Sequence, residues 1–173
     1  MSSSLAARIS APGVRFIERT LAGRDTIRGV TTSRELLADI RAEFFTGGPA
    51  QPIDSEAVAD AFARAISKVA ADDFYCLMAG GALTTRYEGI DGLRLGWRDF
   101  LGAFDTVTIA PGEIFDSPDG LLEFVHLSGR PSGVDAEIEQ DGAAVWRVRD
   151  AKVVCVEFHL DRGQARESAG LAE

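Results

Sequence analysis

After Phe104 the apolar residues of this chain stop recurring every third or fourth position and begin to alternate. That switch limits the fold more than any other feature. A period near 3.6 draws one apolar stripe along a helix, whereas a period of two sends successive side chains to opposite faces of a strand. Strands are expected at about 106–115, 121–130, 133–148 and 152–160. Short turn signals separate them: Ser117-Pro118-Asp119-Gly120, Pro131-Ser132-Gly133, and Arg149-Asp150-Ala151-Lys152. Connections this short join antiparallel neighbours. The expected class is therefore α+β, with helices first and a curved antiparallel sheet second.

Ahead of the switch the pattern is helical. A first short helix is expected at 13–22, with Phe16, Ile17 and Leu21 on one side. A second is expected at 33–45, with Leu36, Leu37, Ile40 and Phe44 as its stripe. Thr32 can cap it and Glu35 can reach back, and Gly47-Gly48-Pro49 ends it. Residues 54–79 read as the strongest helix, opened by Asp54 or Ser55 and carrying Val58, Phe62, Ile66 and Val69. Asp72-Asp73 interrupts it before a short apolar piece. Leu83–Tyr87 reads as a short strand, and a further helix at 90–104 buries Leu93, Trp97, Phe100, Leu101 and Phe104.

Charge excludes one class of partner. Residues 1–53 hold seven Arg and five acids, a surplus of two positive charges; residues 54–173 hold eleven Lys/Arg and twenty-two acids, a net −11. A surface that acidic repels phosphate backbones, so nucleic acid is not expected. No run reaches the roughly 20 apolar residues of a membrane span, so no membrane partner is expected either. The opening MSSSLAARIS lacks the apolar block of a secretory signal. Cys76 and Cys155, both among apolar residues, read as buried thiols in a reducing cytoplasm.

Four stretches together carry a resemblance: GIDGLRLGWRDFLGAFD, SGRPSG, AAVWRVRDAKVV and FHLDRGQARESAGL. In that order they resemble the SnoaL-like proteins of the nuclear transport factor two-like (ketosteroid isomerase-like) superfamily. The similarity covers roughly residues 55–173, so residues 54–173 form the expected domain and 1–53 an N-terminal helical arm. The resemblance implies a cone: a strongly curved antiparallel sheet wrapped around the helices and open at one end. It also implies a tail helix after the last strand, and homodimers joined through the outer sheet face. One departure stands out, since Ala151 occupies a hairpin position that is usually Gly.

Catalytic patterns implied by the resemblance are mostly missing. Ketosteroid isomerases place a carboxylate base a few residues after an Asp-Asp pair and before a Pro; here Asp72-Asp73 leads into FYCLMAG. Epoxide-hydrolase-like members use Tyr-x-Asn, Arg-x-Asp and a last-strand Asp. Tyr75 matches the first, but Leu77 replaces the Asn, 121–130 holds no Arg-x-Asp, and Phe158 stands at the final Asp. SnoaL-type cyclases use a carboxylate and a His in the cavity, which leaves Glu157 and His126 as catalytic candidates. Glu157 shares a strand face with Cys155 and His159, where burial would raise its pKa for proton abstraction; His126 shares one with Leu122 and Phe124. Tyr75, Tyr87, Trp97, His126 and Trp146 are the candidate ligand-binding residues, because such rings line apolar pockets and offer a polar handle. Asp135, Glu137 and Glu139 read as the wet face of a strand. Two His on separate strands give no metal spacing, and Gly89, Gly92 and Gly96 form no phosphate loop, so neither metal nor cofactor is expected. The expected function is binding of a small hydrophobic, oxygenated molecule in the cone, with cyclase- or isomerase-like proton transfer. The alternative is a non-catalytic dimerisation module with an incidental cavity.

Overall fold

The computed structural model describes residues 14–15, 32–44, 54–80 and 83–171. The first expected helix lies outside them except at Val14–Arg15, which form a short strand, β1. Helix α1 (Ser33–Phe44) starts with a reciprocal cap. The Glu35 N–H donates to Thr32 Oγ1 at 3.2 Å, and the Thr32 N–H donates to the Glu35 carboxylate at 2.8 Å. Its apolar stripe buries Leu36, Leu37 and Ile40. Helix α2 (Ser55–Ser67) starts where Asp54 accepts the Ala57 N–H at 2.9 Å, and it buries Val58, Phe62 and Ile66.

The long helix expected over 54–79 stops at Ser67. Residues Ala70–Gly80 form strand β2 instead. Phe74 and Cys76 are buried at alternate positions with Tyr75 only partly buried between them, which is strand periodicity. Strand β3 (Leu83–Glu88) pairs back on β2, and helix α3 (Gly89–Leu101) follows. Four long strands complete the sheet: β4 (Phe104–Ser117), β5 (Gly120–Pro131), β6 (Ile138–Arg149) and β7 (Lys152–His159). Residues 133–137, expected to begin a strand, belong to an exposed connection, so Asp135 and Glu137 belong to no strand face.

The sheet is curved and unclosed, in the order β1-β4-β5-β6-β7-β2-β3. β4 to β7 run antiparallel in sequence, as their short turns dictate. β2 lies parallel to β7, with Tyr75 opposite Cys155 and Leu77 opposite Glu157. A parallel pair needs a long connection, and here everything from β3 to β6 supplies it.

Each face of this sheet has its own core. On the concave side α2 and α3 pack on Cys76, Val107, Ile109, Leu121, Trp146 and Val156. On the convex side Leu122, Phe124, Ala143 and Val145 are covered by Ala165 and Ala169 of the tail. The tail begins with helix α4 (Arg162–Ser168), capped by Asp161, which accepts the Gln164 N–H at 2.8 Å. It ends in a Schellman turn: Gly170 has φ 70°, and the Leu171 N–H donates to the Arg166 carbonyl at 2.8 Å. That turn carries Leu171 back onto the convex core. The tail in turn completes the burial of Leu122, Phe124 and Val145, large side chains whose full burial contributes about 1.5–3 kcal/mol each.

The β6–β7 hairpin shows how Ala151 is accommodated. Asp150 and Ala151 both have positive φ, 53° and 57°, in a two-residue loop between the paired Arg149 and Lys152. Such loops match the strand twist and favour Gly, because a Cβ is crowded in the left-handed region. Ala151→Gly should therefore stabilise the fold by about 1 kcal/mol, read as a rise of a few degrees in Tm.

Candidate functional site

The concave core is not solid. A cavity of about 150 Å³ lies between the two helices and the sheet. Phe62 from α2 and Trp97 and Phe100 from α3 form one wall. Ile109, Val125, Ala144 and Phe158 from four strands form the other. Phe62, Trp97 and Phe158 pack as a cluster, with Trp97 4.8 Å from Phe62 and 5.2 Å from Phe158 between ring centroids.

One carboxylate reaches this apolar space. Glu123 sits on β5 between Leu121 and Val125, all three on the concave face, and its side chain is only 6% exposed. Trp146 on neighbouring β6 donates its indole N–H to Glu123 Oε2 at 3.0 Å. Arg41 of α1 forms an ion pair with Glu123 Oε1. A buried carboxylate without such partners costs several kcal/mol. Helix α1 therefore contributes to the site: it packs on α2 and β5, and Arg34 closes a second ion pair with Asp116 at 2.9 Å. Arg41→Ala should destabilise the protein by about 3 kcal/mol in a denaturant titration, because it leaves Glu123 buried and unpaired. Replacing both residues, Arg41→Met with Glu123→Leu, should recover most of that loss.

The residues expected from sequence divide between the two faces. Trp97 and Trp146 line the cavity. Tyr87 packs on α3, where a Cβ at Gly96 would come within 3.1 Å of its ring. Tyr75 is opposite Cys155 and lies under the Arg86 guanidinium at 3.5 Å. His126 points to the convex side with Leu122 and Phe124, is 44% exposed, and meets Asp141 at 2.9 Å. Glu157 is also on that side, buried under α4. It accepts from Arg147 Nε at 2.7 Å and from Ser168 Oγ at 2.6 Å, with His159 Nε2 at 3.2 Å. His126 and Glu157 are thus on the sheet face opposite to Glu123, which the sequence reading did not single out.

The convex network also reverses the charge behaviour expected of Glu157. Burial pushes its carboxyl up, but hydrogen bonds from His159, Ser168 and Arg147, together with the Arg147 charge, outweigh burial and hold it at about 2. The network ties β6, β7 and the end of α4 together around the Glu157 carboxylate. Burial pushes the Cys76 thiol up to about 12 and Cys155 to about 11, so neither supplies a thiolate. Among the described residues no cluster of His, Cys, Asp and Glu is arranged to hold a metal. A lowered pKa in the folded state stabilises above the ordinary value of 4.5 and loses that stabilisation as pH falls towards 2. The Tm gap between wild type and Glu157→Gln should therefore close as pH drops from about 5 to 2.

The comparisons with known proteins agree with this architecture. Residues 53–156 match the SnoaL-like domain family. A SnoaL-like polyketide cyclase assignment from Jannaschia sp. CCS1 superposes with a TM-score of 0.56 at 16% identity, over 87% of this chain and 99% of that one. TerC, co-crystallised with polyporic acid, gives 0.55 at 17% identity, over 78% and 95% of the two chains. A ketosteroid isomerase-like protein from Catenulispora acidiphila DSM 44928, in complex with trimethylamine, gives 0.51 at 16% identity over 81% and 95%. A comparison with curated proteins finds no match. At these identities the solved structures show a common fold, whereas the domain match spans more than half of the sequence. The chain belongs to the SnoaL-like domain family.

Proposed function

We propose that this protein binds a small hydrophobic, oxygenated molecule in the cavity between α2, α3 and the concave sheet face. The observation that carries this reading is a single oriented carboxylate, Glu123, at the edge of an otherwise apolar hollow. An apolar lining with a few fixed polar groups is how small-molecule sites combine affinity with orientation. Two fold neighbours hold small molecules, polyporic acid and trimethylamine, which is in keeping with a ligand-binding use of the scaffold. Proton transfer of the cyclase or isomerase kind would fall to Glu123, because it is the carboxylate that reaches the cavity. His126 and Glu157 act on the other side of the sheet in this reading, as surface and tail-anchoring groups.

The competing reading, a dimerisation module with an incidental cavity, draws support from the close packing of Phe62, Trp97 and Phe158 inside the cone. A homodimer through the outer sheet face would have to accommodate α4, which already lies across β5, β6 and β7. A cytoplasmic setting fits the two free buried thiols, and no helix among the described residues is long and apolar enough to cross a membrane.

Thermal shifts with a panel of apolar compounds separate the readings. A ligand at about 100 times its Kd should stabilise by about 2.7 kcal/mol, seen as a Tm rise of several degrees. Ala144→Phe, which fills the cavity from β6, should abolish the rise while the protein stays folded. No rise with any compound would favour the dimerisation module.

A further inference from the structure

Resting on the reading of the cavity as a ligand site, we infer that its ligand is a single-ring hydrogen-bond donor with a short apolar tail, of the alkylphenol class, whose hydroxyl donates to Glu123. Three features of the cavity lead there. The first is the chemistry of its polar edge. As the anion of an ion pair, Glu123 is acceptor-only, with about four lone-pair sites on two oxygens. Arg41 takes one site on Oε1 and Trp146 one on Oε2. The acceptor capacity left over lies beside Val125 and Ala144, whose side chains donate nothing. A ligand hydroxyl satisfies it. A ketone or ether oxygen at the same place would set lone pairs against lone pairs, and an anionic ligand would meet a like charge in a low-dielectric site.

The second feature is size. A hollow of about 150 Å³ matches the apolar cavities known to take benzene, so one ring fits and a fused polycyclic skeleton does not. The third is the exit. A second hollow of about 140 Å³ shares Phe100, Leu127 and Leu160 with the first. It continues past Phe104 and Ile138 to Ser128 and Gln140. Leu160 and Ile138 at this mouth are 44% and 43% exposed. Gln140 steadies the rim by donating to the Leu160 carbonyl at 3.0 Å. A ring in the inner hollow would thus send an alkyl substituent along an apolar channel towards solvent.

Calorimetric titration of the wild-type chain with phenol, 4-propylphenol, 4-propylanisole, propylbenzene and estradiol tests this without any variant. A hydrogen bond to a charged acceptor predicts 4-propylphenol tighter than 4-propylanisole by at least about tenfold. The propyl tail should also strengthen binding over phenol itself by tenfold or more, from about 0.8 kcal/mol per buried CH₂. Estradiol should not bind. Equal affinities for the phenol and its methyl ether would overturn the donor assignment, while the binding-site reading survived. Tighter binding of estradiol than of 4-propylphenol would overturn the single-ring assignment. Absence of binding by all five, propylbenzene included, would bring down the ligand-binding reading and this inference with it.

Discussion

A carboxylate inside an apolar hollow is tolerated only where it is paired and hydrogen-bonded, and Glu123 obtains its two partners from different parts of the chain. Trp146 comes from the adjacent strand, so the β5–β6 register must place an indole N–H within 3.0 Å of Oε2. Arg41 comes from α1, so that helix must dock against α2 and β5. Losing either partner leaves a charge in the core. This one group therefore couples the register of the sheet, the docking of α1 and the polarity of the cavity. The charge is compensated by Arg41 and Trp146, and the cavity beside it is lined mostly by apolar side chains.

The architecture was legible from local patterns, and the site was not. Capping chemistry at Thr32 and Asp54, the turn at Pro118-Asp119, the hairpin at Asp150-Ala151 and the period switch after Phe104 are short-range signals that survived folding unchanged. β2 was misread because Val58, Phe62, Ile66 and Val69 lead with helical spacing into Ala70, and Asp72-Asp73 reads as an interruption of that helix rather than as part of a strand. Its strand state comes from pairing with β7, some 80 residues away, which local periodicity does not register.

Alternation told which side chains share a face, but not which face is hollow. In β5, residues 121–124 are all buried, because α2 and α3 cover one side and α4 the other. When both faces are apolar, Leu122, Phe124 and His126 look as much like a cavity wall as Leu121, Glu123 and Val125 do. A signal did exist in LLEFV: an acid in the middle of a fully apolar strand demands a buried partner, and the Trp of the pairing strand segment AAVWR could supply one. Glu157 is a candidate because it shares a strand face with Cys155 and His159. Its partners Arg147 and Ser168 make it a clasp for the tail, a role visible only once α4 is folded onto the sheet.

Because the period of a strand is two, a slip of one residue in β5 would exchange these assignments. Phe124 and His126 would enter the cone, and Glu123 would fall under the apolar face of α4. The fold opposes that slip at both ends of the hairpins. At the β4–β5 turn, Gly120 lies so close to β6 that a Cβ would sit 1.9 Å from the Trp146 carbonyl oxygen, which fixes β5 against the strand that carries the indole. At the β6–β7 turn Asp150 and Ala151 accept left-handed angles, which holds β6 in register with β7. Irregularities between Pro111 and Ile114 and between Arg147 and Val148 take up the mismatch that curvature imposes, so the middle of β5 and β6 stays in step. The strain in those turns and the burial on both faces thus serve one end: they keep Glu123, and not its neighbour, facing the hollow.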